Sequence, residues 1–291
     1  WRFGRDHGQG RWWLNGDPIA TAFHTALSVT FPKGEAMFIE AVKAHRGGAE
    51  EKLAREIKAF TQQEVIHSRE HVVFNRRVAE SGYDLSELDA RIDEVMARIK
   101  ERPPIVNLAA TIALEHYTAI MAAVILKKPE IFDGAESEWA NMWRWHAMEE
   151  IEHKGVAYDT WLHATKDWGR FRRWRVKSLM MLVITVKFWP QRVAGMKMLL
   201  KQDGLSGWRV NWGIAKYLLG NPGIVRRSFL PWLSYFLPKF HPWNHDDRHL
   251  IGKSESDYEA AVMPAAHKAL LAQGAESGVS ALQSSGRPAA A

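Results

Sequence analysis

The chain has 291 residues, of which 46% are hydrophobic and 25% are charged, so it is long enough to bury a sizeable core. It contains no cysteine, which excludes disulfides, thiol nucleophiles, thiolate zinc sites and iron–sulfur clusters. Any metal ion must therefore be held by histidine and carboxylate side chains, which suit iron, manganese or zinc. The net charge of +6 is unevenly distributed, because residues 166–253 carry seventeen Lys and Arg against four Asp and Glu. One basic, Trp-rich segment beside an acidic body is typical of a region that contacts an interface rather than nucleic acid.

The N-terminal part predicts an irregular lead-in followed by helix. Residues 1–16 are rich in Gly, Arg and Trp without a period, whereas Asp17-Pro18 is a typical helix start. A helical stretch to about residue 45 is predicted, with a break near residues 31–34. Glu35 and Glu40 come directly after this break, so either could be a buried carboxylate of the first helix of a bundle.

Residues 50–81 give the strongest helix pattern in the chain. Apolar and Glu/His positions recur at steps of three and four residues along one stripe: Leu53, Ile57, Phe60, Glu64, His67, His71, Phe74 and Val78. The Glu/His band lies between two apolar bands, which indicates a buried metal-binding band rather than a solvated face. Within it, Glu64 and His67 form a Glu-x-x-His motif, whose two side chains point in the same direction from a helix.

The next two long helices repeat these features. After a polar helix at residues 85–101, residues 105–127 form an apolar helix that contains Glu115 and His116. A charge in such surroundings is costly unless it is paired or bound to metal, so we expect Glu115 to bind metal and His116 to pack between helices. Residues 135–165 are predicted as one helix, with the second Glu-x-x-His motif at Glu150 and His153.

Four helices thus supply donors in the order Glu, Glu-x-x-His, Glu, Glu-x-x-His. This order is that of the inward-facing ligands of four-helix dimetal carboxylate bundles. We therefore predict an all-α protein with a ferritin-like bundle at residues 17–168 that holds two metal ions, for which the ligand types allow Fe, Mn or Zn. The predicted ligands are Glu35, Glu64, His67, Glu115, Glu150 and His153, with Glu40 as the alternative to Glu35.

Two further histidines lie on the same stripes. His71 is one turn beyond His67 and His146 is one turn before Glu150, so antiparallel helices would place both at the same end of the site. They could be buried histidines that are hydrogen-bonded to ligand carboxylates, additional metal ligands, or catalytic acid/base groups on the substrate side. We take the catalytic role as the working hypothesis. Glu149 and Glu152 point elsewhere and are expected to support the ligands or lie on the surface.

Residues 169–253 predict a basic, Trp-rich helical extension. Its uncharged run at residues 178–186 is too short to span a bilayer, which needs about 20 residues, and prolines such as Pro190 are expected to separate its apolar pieces. Lys, Arg and Trp around short apolar helices suit the membrane interface. We therefore expect residues 170–250 to contact a membrane surface; a cap on the bundle or a homodimer interface is the alternative. Residues 254–291 are predicted as a tail that is largely disordered from about residue 274.

The motifs resemble a known family. The Pro32-Lys33-Gly34-Glu35 segment, Gln63-Glu64-x-x-His67-x-x-x-His71, Leu114-Glu115-His116 and His146-x-x-x-Glu150-x-x-His153 resemble the bacterial family labelled "predicted metal-dependent hydrolase", which is similar to the ferritin-like di-iron carboxylate superfamily. The resemblance covers about residues 15–255. It implies that Glu35 rather than Glu40 is the first ligand.

Two functions compete at this stage. Likeness to ferritin-like proteins implies a di-iron oxygenase or oxidase, which would need an external electron donor. If residues 170–250 contact a membrane, we expect a hydrophobic, lipid-like substrate and a location in the cytoplasm at the inner face of the membrane. The alternative is a dinuclear hydrolase of esters, amides or phosphoesters, in which His71 or His146 assists proton transfer. A non-catalytic metal-binding bundle is the third hypothesis, and no nucleic-acid partner is expected because no recognition motif accompanies the charge.

Overall fold

The computed structural model describes residues 2–4 and 9–252, and it is all-helical. Within these residues the extended structure is limited to one bridge between Leu14 and Ala135. The all-α prediction is therefore confirmed. The predicted tail at residues 254–291, including its disorder from about residue 274, lies outside the described residues.

The helices follow the predicted order closely. In chain order they are α1 (Pro18–Ser28), α2 (Phe31–Lys43), α3 (Glu51–Glu80), α4 (Ser86–Lys100), α5 (Pro104–Lys127), α6 (Ser137–His153), α7 (Val156–Ala164), α8 (Arg170–Gln202), α9 (Trp208–Ala215) and α10 (Ile224–Ser234). The predicted start at Asp17-Pro18 is confirmed, because the Asp17 carboxylate accepts hydrogen bonds from the backbone N–H groups of Ile19 and Ala20.

Helices α2, α3, α5 and α6 form the bundle. Helix α2 packs against α3 and α5, and α6 packs against the same two helices from the other side. Their buried side chains meet at the centre, where Phe60, Phe74, Leu108 and Ile151 are fully buried, and α5 is buried nearly all round. The described part of the lead-in contributes to this core through Trp13, whose ring lies edge-on to Phe74.

The single helix predicted for residues 135–165 is wrong, because it is broken into α6 and α7 at Lys154-Gly155. A side chain at Gly155 would meet the ring of Trp243, whose Nε1 lies 2.4 Å from the position of an added Cβ. The Lys154 ammonium contacts the His245 carbonyl and, at 3.4 Å, Asp247. The break therefore makes room for a C-terminal segment that the sequence pattern of residues 135–165 does not indicate.

The expected interruption at Pro190 is also wrong, because Pro190 lies inside α8, a single helix of 33 residues. A proline inside a helix costs about 3 kcal/mol through the lost hydrogen bond and the steric clash. Here Pro190 lies on the exposed side of α8. The flanking segments are fixed by tertiary contacts, since α8 packs against both α1 and α5, and these contacts offset the cost.

The described residues up to Arg248 form one compact unit. Helices α8 and α10 both pack against α5, and the Trp232 indole of α10 donates to Thr185 on α8. By length and composition α5 could cross a membrane, but 89% of its most apolar stretch is buried inside the protein, as is usual for a core helix.

Phe74 and Trp208 provide a test of where the core lies. Replacing Phe74, which is fully buried against Trp13, Trp139 and Trp143, by Ala should lower the free energy of unfolding by about 3–5 kcal/mol. The matched Trp208→Ala, at a side chain that is 72% exposed, should change it by about 0.5 kcal/mol or less. Urea denaturation followed by circular dichroism measures both. Equal losses would contradict the described packing.

Candidate metal centre

The bundle brings all six predicted ligands together in its core. Each is at most 3% exposed, although four are carboxylic acids or carboxylates: Glu35 on α2, Glu64 and His67 on α3, Glu115 on α5, and Glu150 and His153 on α6. Glu40, the alternative to Glu35, is on the exposed side of α2. The structure therefore places Glu35, and not Glu40, at the centre.

The donor atoms converge around the two imidazoles. Glu64, His67, Glu150 and His153 each offer an atom within 4.8 Å of the others. The His67 Nδ1 atom lies 3.7 Å from Glu64 and 3.6 Å from Glu150. The His153 Nε2 atom lies 3.2 Å from Glu64 and 3.7 Å from Glu150, and Glu115 is 3.8 Å away from it. Most of these separations are too long for good hydrogen bonds.

The same separations suit atoms that share a cation. Ligands that bind a metal at about 2.0–2.2 Å lie roughly 3–3.5 Å from each other. Among the described residues, several buried atoms of this cluster have no hydrogen-bond partner: Glu35 Oε1, both carboxylate oxygens of Glu64 and Glu115, Glu150 Oε2, His67 Nδ1, His146 Nε2 and His153 Nε2. Buried polar atoms are rarely left unpaired, so convergent unpaired donors fit one or two metal ions.

The outer nitrogens of the two imidazoles are held by partners, as is usual for metal-bound histidine. The His67 Nε2–H donates to Glu149 at 2.9 Å, and the other oxygen of Glu149 accepts from the Trp145 indole at 2.9 Å. The His153 Nδ1–H donates to Gln63 at 3.2 Å. Each ring therefore turns its remaining nitrogen toward the carboxylates.

These supporting residues were largely missed by sequence reasoning. Glu149 was expected to support a ligand or to lie on the surface, and it does support one. Gln63 appears in the sequence analysis only as part of a family motif, and Ser68, which donates to Glu35 at 2.7 Å, does not appear there. Each of these three residues is next to a ligand in the sequence. That spacing is the only signal in the sequence that could have identified them.

Burial and charge divide the cluster into proton-holding and ionised groups. Burial raises the pKa of Glu35 and of Glu115, and the neighbouring carboxylates, Glu64 among them, raise both further. Burial alone would lower the pKa of His67, but its hydrogen bond to Glu149 and the nearby carboxylates of Glu64 and Glu150 raise it to about 10. The pKa of His153 is likewise raised, against burial, by Glu150 and Glu64. Protons on these side chains thus offset the negative charge that bound metal ions would otherwise neutralise.

His71 and His146 lie at the same end of the cluster, as predicted, and they touch. Their Nε2 and Nδ1 atoms are 2.9 Å apart, and both can reach Glu35 with ligand atoms within 4.8 Å. The polarity of this contact follows from its neighbours. The Asn75 amide donates to the Ser28 carbonyl, so its oxygen accepts from the Ser28 hydroxyl, and this hydroxyl accepts in turn from His71 Nδ1–H.

It follows that His71 Nε2 carries no proton and accepts from His146 Nδ1–H. The His146 Nε2 atom is then unprotonated, and its lone pair faces the Glu150 carboxylate at 3.0 Å. Two acceptors at this distance repel each other unless a cation or a proton lies between them. Burial lowers the pKa of both imidazoles, which agrees with their neutral state. The structure thus places His146 at the cluster and His71 behind it.

The remaining buried histidine of α5 does not join the centre. His116 Nε2 is 3.1 Å from the Pro231 carbonyl, and its ring contacts Tyr235 and Phe240. Burial lowers its pKa to about 3, so it is neutral. The prediction that His116 packs between helices is confirmed.

An all-helical bundle with buried, convergent carboxylates and imidazoles defines a metal-binding helical protein. The chain belongs to the family described as "Predicted metal-dependent hydrolase", whose family model matches residues 1–246. The resemblance inferred from its motifs is therefore confirmed, while likeness to ferritin-like proteins stays a prediction. No curated protein and no solved structure gives a significant match. The family description agrees with the hydrolase hypothesis, whereas the preference for an oxygenase or oxidase has no support from the comparisons.

Glu35 and Glu40 give a matched test of the ligand set. Glu35→Gln should reduce the Mn²⁺ or Zn²⁺ retained after desalting to half or less, because one anionic donor of the cluster is lost. Glu40→Gln should retain as much metal as the unchanged protein, because this side chain is exposed. Plasma emission spectrometry measures the content. Loss of metal from the Glu40 variant with retention by the Glu35 variant would reverse the assignment.

Metal binding should release protons and strengthen with pH. The raised pKa values mean that His67 and His153 still hold protons at neutral pH, and these protons must leave before the nitrogens can bind metal. We expect the apparent affinity for Mn²⁺ to rise from about pH 6 to about pH 8, by roughly tenfold per pH unit for each proton displaced. Calorimetric titration in buffers of different ionisation enthalpy counts the protons. A pH-independent affinity would contradict the described charge state.

Proposed function

We propose that this protein is a dinuclear metal-dependent hydrolase. The observation that carries the proposal is the set of unpaired donor atoms on Glu64, His67, Glu150 and His153, with Glu35 and Glu115 beside them, together with the neutral base His146 at one end. Two ions are proposed because four carboxylates and two imidazoles supply more charge and more donors than one divalent ion needs.

Bound metal ions would act as Lewis acids and lower the pKa of a water molecule toward neutrality. The chain supplies the remaining parts of the reaction. His146 Nε2 is the atom that can take a proton from the water, since its lone pair faces the cluster. As it does so, His146 Nδ1–H is held by His71, whose own Nδ1–H is held by Ser28, so the ring cannot turn away. Glu35 can orient the same water through its unpaired oxygen.

The walls of the site keep bulk water away from this proton transfer. The Phe31 ring contacts both His71 and His146, with centroid separations of 4.6 and 4.7 Å. The Trp143 ring contacts His71 edge-on from another side. A hydrogen bond in such dry surroundings is stronger than in water, so the orientation of His146 is well fixed.

Oxygen activation remains the second candidate. It is favoured by one observation, namely that the six donors come from four bundle helices in the order found in di-iron carboxylate proteins. This alternative needs iron and an external electron donor, neither of which hydrolysis requires.

The proposed hydrolase would cleave an ester, amide or phosphoester bond. We also propose that it is located at the inner face of the cytoplasmic membrane.

Anaerobic assay of metal-loaded protein separates the two. Mn²⁺- or Zn²⁺-loaded protein should release p-nitrophenol from acyl esters or from a phosphodiester without oxygen. His146→Ala should lower kcat by about 10²-fold or more with metal content unchanged, because the proton acceptor is lost. His163→Ala, a change outside the cluster, is the control. Substrate-linked oxygen uptake by the reduced iron form, with no hydrolysis, would establish the alternative instead.

A further inference from the structure

A cavity open to the surface borders the metal centre at Glu35. Its volume is about 490 Å³, within the roughly 300–1,000 Å³ usual for ligand pockets. It lies between α2, α4, α5 and α8, and its walls are mainly apolar, as at Met37, Ile92 and Ile184. Glu35 and Phe31 belong to its lining, so one part of the cavity borders the cluster. Lys33 on α2 holds α4 in place through Asp89 and Asp93, at 2.8 and 2.7 Å.

The cavity contains one unusual charge. Arg192 is 5% exposed, and no carboxylate of the described residues lies within ion-pair distance of it. Its guanidinium contacts the Ala26 carbonyl and, at 3.2 Å, the Thr30 hydroxyl, while its buried Nε has no partner in the described part of the chain. Burying a cation without an anion is costly. An anionic group of a ligand would satisfy it.

Arg192 lies where the cavity meets the end of α1 and the start of α2. Its contacts are to the end of α1 and to Thr30, the residue next to Phe31, and Phe31 in turn touches His71 and His146. An anionic group held by Arg192 would therefore lie near the cluster. The apolar walls along α4 and α8 are left for an alkyl chain that extends outward.

The outer part of the cavity adjoins an apolar surface. Val183 on α8 lines the cavity and is also 44% exposed. We define the α8–α10 face as the exposed apolar side chains Leu179, Leu182, Val183, Val186, Trp208, Trp212, Phe229, Leu230 and Leu233. Exposed apolar patches of this kind mark interaction sites.

The charge around this face selects its partner. Residues 168–245 contain fourteen Lys and Arg but one acidic residue, Asp203, which pairs with Arg11 at 2.6 Å. Lys187, Arg98 and Arg102 are at the cavity itself. Basic residues among exposed Trp, Leu and Phe complement an anionic bilayer, where Trp lies at the headgroup level and each Lys or Arg contributes about 1 kcal/mol. A second copy of this basic face would instead repel it.

We propose that the α8–α10 face docks on an anionic lipid bilayer, and that the cavity takes from it a single-chain amphiphile whose anionic group binds Arg192. The alkyl chain fills the space between α4 and α8. This substrate class rests on the proposed hydrolase function, because the bond to be cleaved would lie near the anionic group, next to Glu35 and His146. Docking and binding themselves need no turnover.

Three variants of the full chain and two matched controls test the parts separately. Flotation with vesicles of phosphatidylcholine and phosphatidylglycerol tests the face, and fluorescence titration with cis-parinaric acid and its uncharged methyl ester tests the cavity. Both readouts are independent of hydrolysis. If they succeed while no ester is cleaved, the proposed function fails and the binding site stands.

For the face, Val186→Glu is compared with Val72→Glu, which makes the same change at an exposed valine on α3. The unchanged protein and V72E should float with anionic vesicles and not with pure phosphatidylcholine, whereas V186E should bind at least fivefold less. Equal flotation of the two variants, or none by the unchanged protein, would overturn docking. A dimer in light scattering that V186E makes monomeric would assign the face to a second copy.

For the cavity, Arg192→Met should weaken binding of cis-parinaric acid about tenfold and leave its methyl ester unchanged, which also shows that the variant is folded. Gly34→Leu should weaken both probes, because an added side chain at Gly34 meets open space within the cavity. Gly47→Leu, at an equally open glycine outside the cavity, is its control. Equal losses of acid and ester in R192M, or full binding by G34L, would overturn the proposal.

Discussion

The structure depends on the cost of burying four acidic side chains in the core of a helical bundle. Glu35, Glu64, Glu115 and Glu150 are almost completely removed from water, where ionised carboxylates would repel each other strongly. Two imidazoles between them supply the opposing charge when they are protonated, and metal ions would supply more of it. The folded state therefore needs positive charge among these four carboxylates. Much of the surrounding hydrogen bonding orients the carboxylates and imidazoles toward that charge.

The two ends of the cluster are built differently. On one side, Glu149 and Gln63 hold the outer nitrogens of His67 and His153, so that these rings face the carboxylates. On the other side, a chain from Asn75 through Ser28 and His71 fixes which nitrogen of His146 bears the proton. In the proposed function, His67 and His153 bind metal and His146 exchanges protons. This asymmetry is the strongest structural reason to place the reacting group beside His146.

Much of this centre could be predicted from the sequence because helical spacing is strict. A Glu-x-x-His motif on a helix must place both side chains on one face, and a lone Glu115 in an apolar helix must be buried. The choice between Glu35 and Glu40 could not be made from spacing alone, since it depends on which face of α2 meets the bundle. The resemblance favoured Glu35, and the burial of its side chain agrees with that choice.

Other features could not be predicted because they depend on contacts between residues far apart in the chain. The proton polarity at His146 is set by Ser28, 118 positions away on another helix. Pro190 is tolerated within α8 because of what packs on either side of it. In the sequence, Arg192 is one of many basic residues in a basic segment. Only its burial beside the cavity distinguishes it from the others.

The break at Lys154-Gly155 has a mechanical consequence. His153 is therefore the last residue of α6 and does not lie in the middle of a longer helix. The next residue, Lys154, is tethered to the C-terminal segment at His245 and Asp247, and Trp243 is wedged against Gly155. The packing of residues 243–247 therefore helps to fix where α6 ends, and with it the position of His153 beside the carboxylates.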